Sequence, residues 1–116
     1  GTNHGPNPVE FVLHALASCV GTAIVLHAAA EGVKIDKLEF DVEGDIDVRG
    51  VTGVDSSVRN GFSNIRMHCR ITADAPDNKL QELVSNGPKF SPVYDIVTNG
   101  VPVTIELEGQ EVKASM

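Results

Sequence analysis

Tryptophan is absent and aromatic residues make up only 4% of the chain, so its core is built from aliphatic and small side chains. Positive charge is also scarce. Nine Lys and Arg residues stand against sixteen Asp and Glu, a net charge of −7, and the nine form no basic patch, which excludes nucleic acid and anionic membrane surfaces as partners. Two cysteines are too few for a disulfide framework and point to a reducing, cytoplasmic compartment. Repeats and low-complexity tracts are missing. No charged-then-apolar leader is seen; because the chain opens on Gly1 and not on Met, nothing about a leader follows. Glu10, His14 and Glu31, within or bounding the longest apolar stretch, argue against a membrane span. At 116 residues the chain reads as one domain, 1–116, with a modest core.

That apolar stretch organises the rest. Val9, Phe11, Val12, Leu13, Ala15, Leu16, Cys19, Ala23, Ile24, Leu26 and Ala30 recur with helical spacing. Asn7 suits the N-cap, Pro8 the first helical position, Glu10 the positive end of the dipole, and Gly32 the turn that closes the helix. Glu10, His14 and Ser18 make one narrow polar stripe, so the helix is expected inside the structure. At about 100° per residue, Cys19 shares a side with Val12, Ala15, Leu16, Ala23 and Leu26, and its thiol is expected among apolar groups. Glu10 points the other way.

After Gly32 the period changes to two. Leu38, Phe40, Val42, Ile46 and Val48 alternate with Glu39, Asp41, Glu43, Asp45 and Asp47, which predicts a strand with one acidic, wet face. Calcium would require those carboxylates on a loop with a sharp glycine turn, so a solvated face is the better reading. Residues 49–62 read as a loop, and Ile65, Met67, Cys69, Ile71 and Ala73 then alternate with Arg66, His68, Arg70 and Thr72. A basic row beside an acidic row predicts antiparallel pairing of the two strands. A second helix opens at Pro76 and ends at Gly87-Pro88; Ser91-Pro92 caps and starts a third, ending at Asn99-Gly100; Val101, Val103, Ile105 and Leu107 predict a last strand over 101–108.

These residues resemble the OsmC/Ohr family of thiol-dependent hydroperoxide reductases, in the branch with Ser-Pro in place of a second Cys-Pro. The resemblance rests on Asn7-Pro8-Val9-Glu10 leading to Ala15-Leu16-Ala17-Ser18-Cys19, on Glu43-Gly44-Asp45-Ile46-Asp47 ending the first strand, on Ala75-Pro76, and on Ser91-Pro92-Val93 followed by Val101-Pro102-Val103. It implies an α+β fold, a mainly antiparallel sheet wrapped around a long buried helix in an intertwined homodimer, without the family's N-terminal strands. It also implies that Cys19 attacks a small organic hydroperoxide as the catalytic thiolate. Peroxidases of the family resolve the resulting sulfenic acid with a second cysteine before a proline; Ser91 stands there, so an external thiol reductant is implied. The family glutamate that follows the opening proline, and the arginine it holds, have no direct counterpart: Val9 fills that place and Glu10 comes one later.

The residues also admit plainer accounts. A buried cysteine is ordinarily a small apolar filler, and Cys69 on the apolar face of a strand reads that way. A Cys19–Cys69 disulfide stays open, since spacing gives no distance. Helix capping accounts for Ser91, which lacks a spaced His or Asp to activate it. Helix-end electrostatics accounts for Glu10, whose other role is to orient a charged group near Cys19 across a dimer axis. Phe90 and Tyr94 flank Ser91 as pocket lining or as core. His4, His14, His27 and His68 do not gather three ligands, so neither a metal nor a cofactor is expected. A thiol reacts as its anion and titrates freely near pH ~8.5, so a reactive Cys19 requires a cation or strong donors nearby. Without them, the reading is a non-catalytic module holding a small apolar ligand at the dimer interface.

Overall fold

The computed structural model describes residues 7–112, with side chains described through residue 109. The loop expected over residues 1–6, with His4, lies outside the described residues. Helix α1 spans Pro8–Ala30. Its start follows the expected chemistry: the Asn7 side chain accepts from the Glu10 N–H at 3.0 Å, and Pro8 opens the first turn. Its end does too. Gly32 adopts φ +79°, the left-handed region open to glycine, and Val33 N–H returns to the Ala28 carbonyl at 2.8 Å.

Strand β1, Ile35–Asp45, pairs antiparallel with β2, Asn64–Ala73. The register sets Glu39 opposite Arg70, Asp41 opposite His68 and Glu43 opposite Arg66. Arg66 bridges Glu43 and Asp45, each at 2.8 Å, while Arg70 reaches Asp41 at 2.5 Å. Hydrogen bonds from Arg70 and Arg66 hold the Asp41 and Asp45 carboxyls below the usual carboxylate range. These pairs are exposed, so they specify register more than they add stability. β1 stops at Asp45, short of the expected Val48, because the Asp47 side chain caps the Arg49 N–H at 3.0 Å and turns the chain into the short helix α2, Val48–Val51.

The opposite face of the pair lies on α1. Leu16, Val20 and Ile24 form the buried core, packed by Ile35, Leu38, Phe40, Ile65 and Met67 from the sheet and by Val93 from beyond it. Helix α3, Asp77–Asn86, buries Leu83 and runs into a 3-10 turn, Gly87–Phe90, followed by α4, Pro92–Thr98. One glycine lets a backbone approach α1 closely. A Cβ on Gly87 would sit 2.6 Å from Cγ1 and 3.1 Å from Cα of Ile24, whereas one on Gly21 would meet Phe40 at 3.4 Å.

Within one chain α1 is covered on one side, as so few elements allow: only Leu16, Val20, Ala23, Ile24 and Ala28 of its 23 residues are buried. Two expectations need correcting. The expected strand over 101–108 is reduced to β3, Ile105–Leu107, which pairs with β4, Gln110–Val112, as a separate hairpin turning at Gly109. Standing apart from the β1–β2 sheet, Val101, Val103, Ile105 and Leu107 stay exposed. Nor do Glu10, His14 and Glu31 make α1 too polar for a membrane span. With mean hydropathy 1.9, α1 is long and apolar enough to cross a bilayer by length and composition, criteria that the core helices of soluble proteins meet as well.

The two glycines make a paired prediction. Gly87→Ala drives a methyl into the Ile24 backbone and should lower stability in urea unfolding by about 1–3 kcal/mol. Gly21→Ala, with an ordinary contact and a gain in helix propensity, should change it by no more than about 1 kcal/mol, in the stabilising direction.

Candidate functional site

Cys19 lies at the margin of the covered side of α1. It is half-buried and free, as is Cys69, so the two are not bridged. Of the residues expected on its side, Leu16 and Ala23 are buried, while Val12 is 39% and Leu26 is 66% exposed. The expectation of an enclosed thiol therefore holds on one flank only. The other flank is apolar and uncovered. Among the described residues no hydrogen bond reaches its sulfur.

Ser91 is placed by the junction of the 3-10 turn with α4, both of which pack on α1. It is 1% exposed, and its Oγ accepts from the Tyr94 N–H at 3.1 Å as the cap of α4. A hydroxyl so placed explains itself structurally. Glu10 does point away from Cys19. It lies at a shallow groove with His14, Phe40, Val42 and Glu43, on the β1 side of α1. Cys69 instead faces a slot with Ile71, Leu80 and Val84, between β2 and α3, where burial pushes its thiol pKa up. The structure thus keeps Cys19 and Glu10 on different faces of the helix. No group of three or more His, Cys, Asp or Glu side chains able to hold a metal occurs among the described residues.

Two arrangements escaped the sequence reading. His27 stacks on Phe90, ring centroids 4.9 Å apart, and pairs with Glu31 at 3.1 Å; Lys79 also bonds Glu31 and lowers its pKa. The i,i+4 spacing of His27 and Glu31 was the available signal. The second is a groove at the N-terminal half of α1, formed by Val12, Arg59, Phe62, Ile65, Val97 and Thr98. Its residues come from four separate segments, and Arg59 belongs to what reads as a plain polar loop.

A long helix laid across an antiparallel strand pair, with one half-exposed thiol on its open flank, defines a small α+β protein of the kind in which a helix cysteine is presented at a surface. The chain matches the family described as OsmC-like protein over residues 1–106, and it belongs to that family. Two solved structures are similar. An OsmC-like protein from Mycoplasma pneumoniae superposes with a TM-score of 0.73 at 22% identity, and the organic hydroperoxide resistance protein OhrB of Bacillus subtilis with 0.57 at 27%. In each case 84% of this chain is covered, and 66% of the other. The chain thus spans just under two thirds of either neighbour's length. None of the curated proteins matches it.

The cap assignment is directly testable. Ser91→Ala should cost roughly 1 kcal/mol of unfolding free energy, the usual worth of a helix cap, read from denaturant melts.

Proposed function

We propose that this protein reduces organic hydroperoxides through a single reactive cysteine, Cys19, with an external thiol as reductant. The observation that carries this reading is a free, half-buried thiol on the open flank of the central helix of an OsmC-like chain. Likeness to a protein named for organic hydroperoxide resistance supports the substrate class. The Cys19 thiolate attacks the terminal peroxide oxygen, the O–O bond breaks, and the alcohol leaves with a proton as Cys19 becomes a sulfenic acid. One molecule of external thiol condenses with it, releasing water and forming a mixed disulfide. A second thiol displaces Cys19 from that bond, restoring the enzyme and leaving an oxidised disulfide of the reductant. Ser91 has no sulfur to resolve the intermediate, and its hydroxyl already caps α4.

The working unit in this reading is a homodimer. The uncovered flank of α1, with Phe11 60% and Leu26 66% exposed, continues the apolar surface around Cys19. The chain's radius of gyration is 18.0 Å. A compact domain of this length has about 13 Å, so the chain by itself does not close around its core. A second copy covers such a face by the commonest symmetry.

A non-catalytic alternative has one observation in its favour, the absence of any hydrogen bond to the Cys19 sulfur among the described residues. In that reading the interface holds a small apolar ligand and the thiol is lining.

Cumene hydroperoxide added to the reduced protein with a sulfenic-acid trap should label Cys19, seen by mass spectrometry, and Cys19→Ser should consume peroxide no faster than buffer. Equal consumption by Cys19→Ser, or an unlabelled Cys19, returns the assignment to the binding module. Sedimentation at micromolar concentration should give a dimer that Leu26→Lys converts to monomer. A monomeric unmodified chain would overturn the packing argument.

A further inference from the structure

Among the described residues, Arg59 is an arginine with no carboxylate paired to it. Arg49 forks onto Asp47, Arg66 onto Glu43 and Asp45, and Arg70 onto Asp41 and Glu39. Among the described residues no such pair forms at Arg59, although sixteen acidic residues outnumber nine basic ones in the chain. The position of Arg59 is nevertheless fixed. Gly50 is buried against the backbone of Val58 and Arg59, where any Cβ on Gly50 would run into the Arg59 carbonyl. The far end of the loop is pinned by Ser63 N–H on the Asp45 carbonyl at 2.9 Å. Between those two anchors, the Phe62 ring occupies the space over Gly44, where a Cβ would meet it at 2.6 Å.

The result is a groove of about 410 Å³ in which Val12, Phe62, Ile65 and Val97 supply the apolar part of a mixed lining and the exposed Arg59 supplies its cation. A part-apolar trough lined by one cation is complementary to an amphiphile with one anionic end. A planar guanidinium favours a carboxylate, which it can bind through two parallel hydrogen bonds. We infer that this groove is a binding site for a small carboxylate with an apolar tail, its head on Arg59 and its tail against Val12, Phe62 and Val97. The site is separate from the thiol chemistry. Val12 precedes Cys19 by two helical turns, about 10 Å along the axis, and the inference stands whether or not Cys19 reacts with peroxide.

The test compares octanoate with octanol, followed by methyl and aromatic NMR shifts on the full chain. Octanoate should shift the Val12 and Val97 methyls and the Phe62 ring. Arg59→Gln should weaken octanoate at least roughly tenfold, the worth of one charge-assisted pair, and leave octanol binding unchanged, which also reports that the variant is folded. Arg59→Lys should fall between the two, since it keeps the charge but not the fork. Equal affinity of the unmodified chain for octanoate and octanol, no binding of octanoate, or shifts confined to the α1–β1 groove at Gly21, Leu38 and Phe40 would overturn the inference. So would an Arg59→Gln variant that changes oligomeric state and leaves octanoate affinity intact, which would assign the guanidinium to a carboxylate of a second copy.

Discussion

The constraint on which the structure depends is that α1 is apolar around more of its circumference than one chain can cover. Its 23 residues bury only five side chains, all along the line through Leu16, Val20, Ile24 and Ala28 with Ala23 beside it. A two-stranded sheet, a helical turn and two short helices cannot reach the remaining sides, and the β3–β4 hairpin that might have helped stands apart with its apolar row exposed. Isolated two-stranded hairpins are marginal in water. The helix flank and the hairpin therefore share one requirement, an apolar partner surface, which the proposed homodimer would meet for both.

On the covered side, close backbone approach does the positioning. The Gly87 turn sits directly on Ile24, which brings α4 and its buried cap Ser91 down onto the helix. The contact of Gly50 with Arg59 fixes the long loop against the start of β2 in the same way. Neither contact tolerates a side chain. Both act through sterics, which is local and steep, while the ion pairs between β1 and β2 are exposed and screened and serve mainly to hold the strands in register.

Much of this was legible in the residues. The ends of α1 were written by Asn7, Pro8 and Gly32, each a local rule needing no tertiary information. The β1–β2 pairing followed from two rows of opposite charge, and the cap at Ser91 from its place before Pro92. What could not be read depends on long-range contact. Alternation in Val101–Leu107 gives a face but not the sheet it joins, and here β3 pairs with β4 in place of the β1–β2 sheet. Helical arithmetic puts Cys19 on the side of Val12 and Leu26 but cannot say which of α1's apolar sides the chain covers. Arg59 was hidden because a loop's composition says nothing about which helix it lies against.

The position of Cys19 follows from the same shortage of covering surface. A thiol in the middle of a 23-residue helix is out of reach of the helix dipole, whose effect fades within the first turn, so its reactivity depends on groups carried by other elements. On the covered side of α1 those elements pack Ile35, Leu38, Phe40, Ile65, Met67 and Val93, none of which carries a positive charge. Any cation that favours the thiolate must therefore approach from the open flank, the one a second chain would occupy in the proposed dimer. Under that proposal, dimer formation and thiol activation would be coupled: the surface that completed the core would also have to supply the cation, and a separated chain would lose both together.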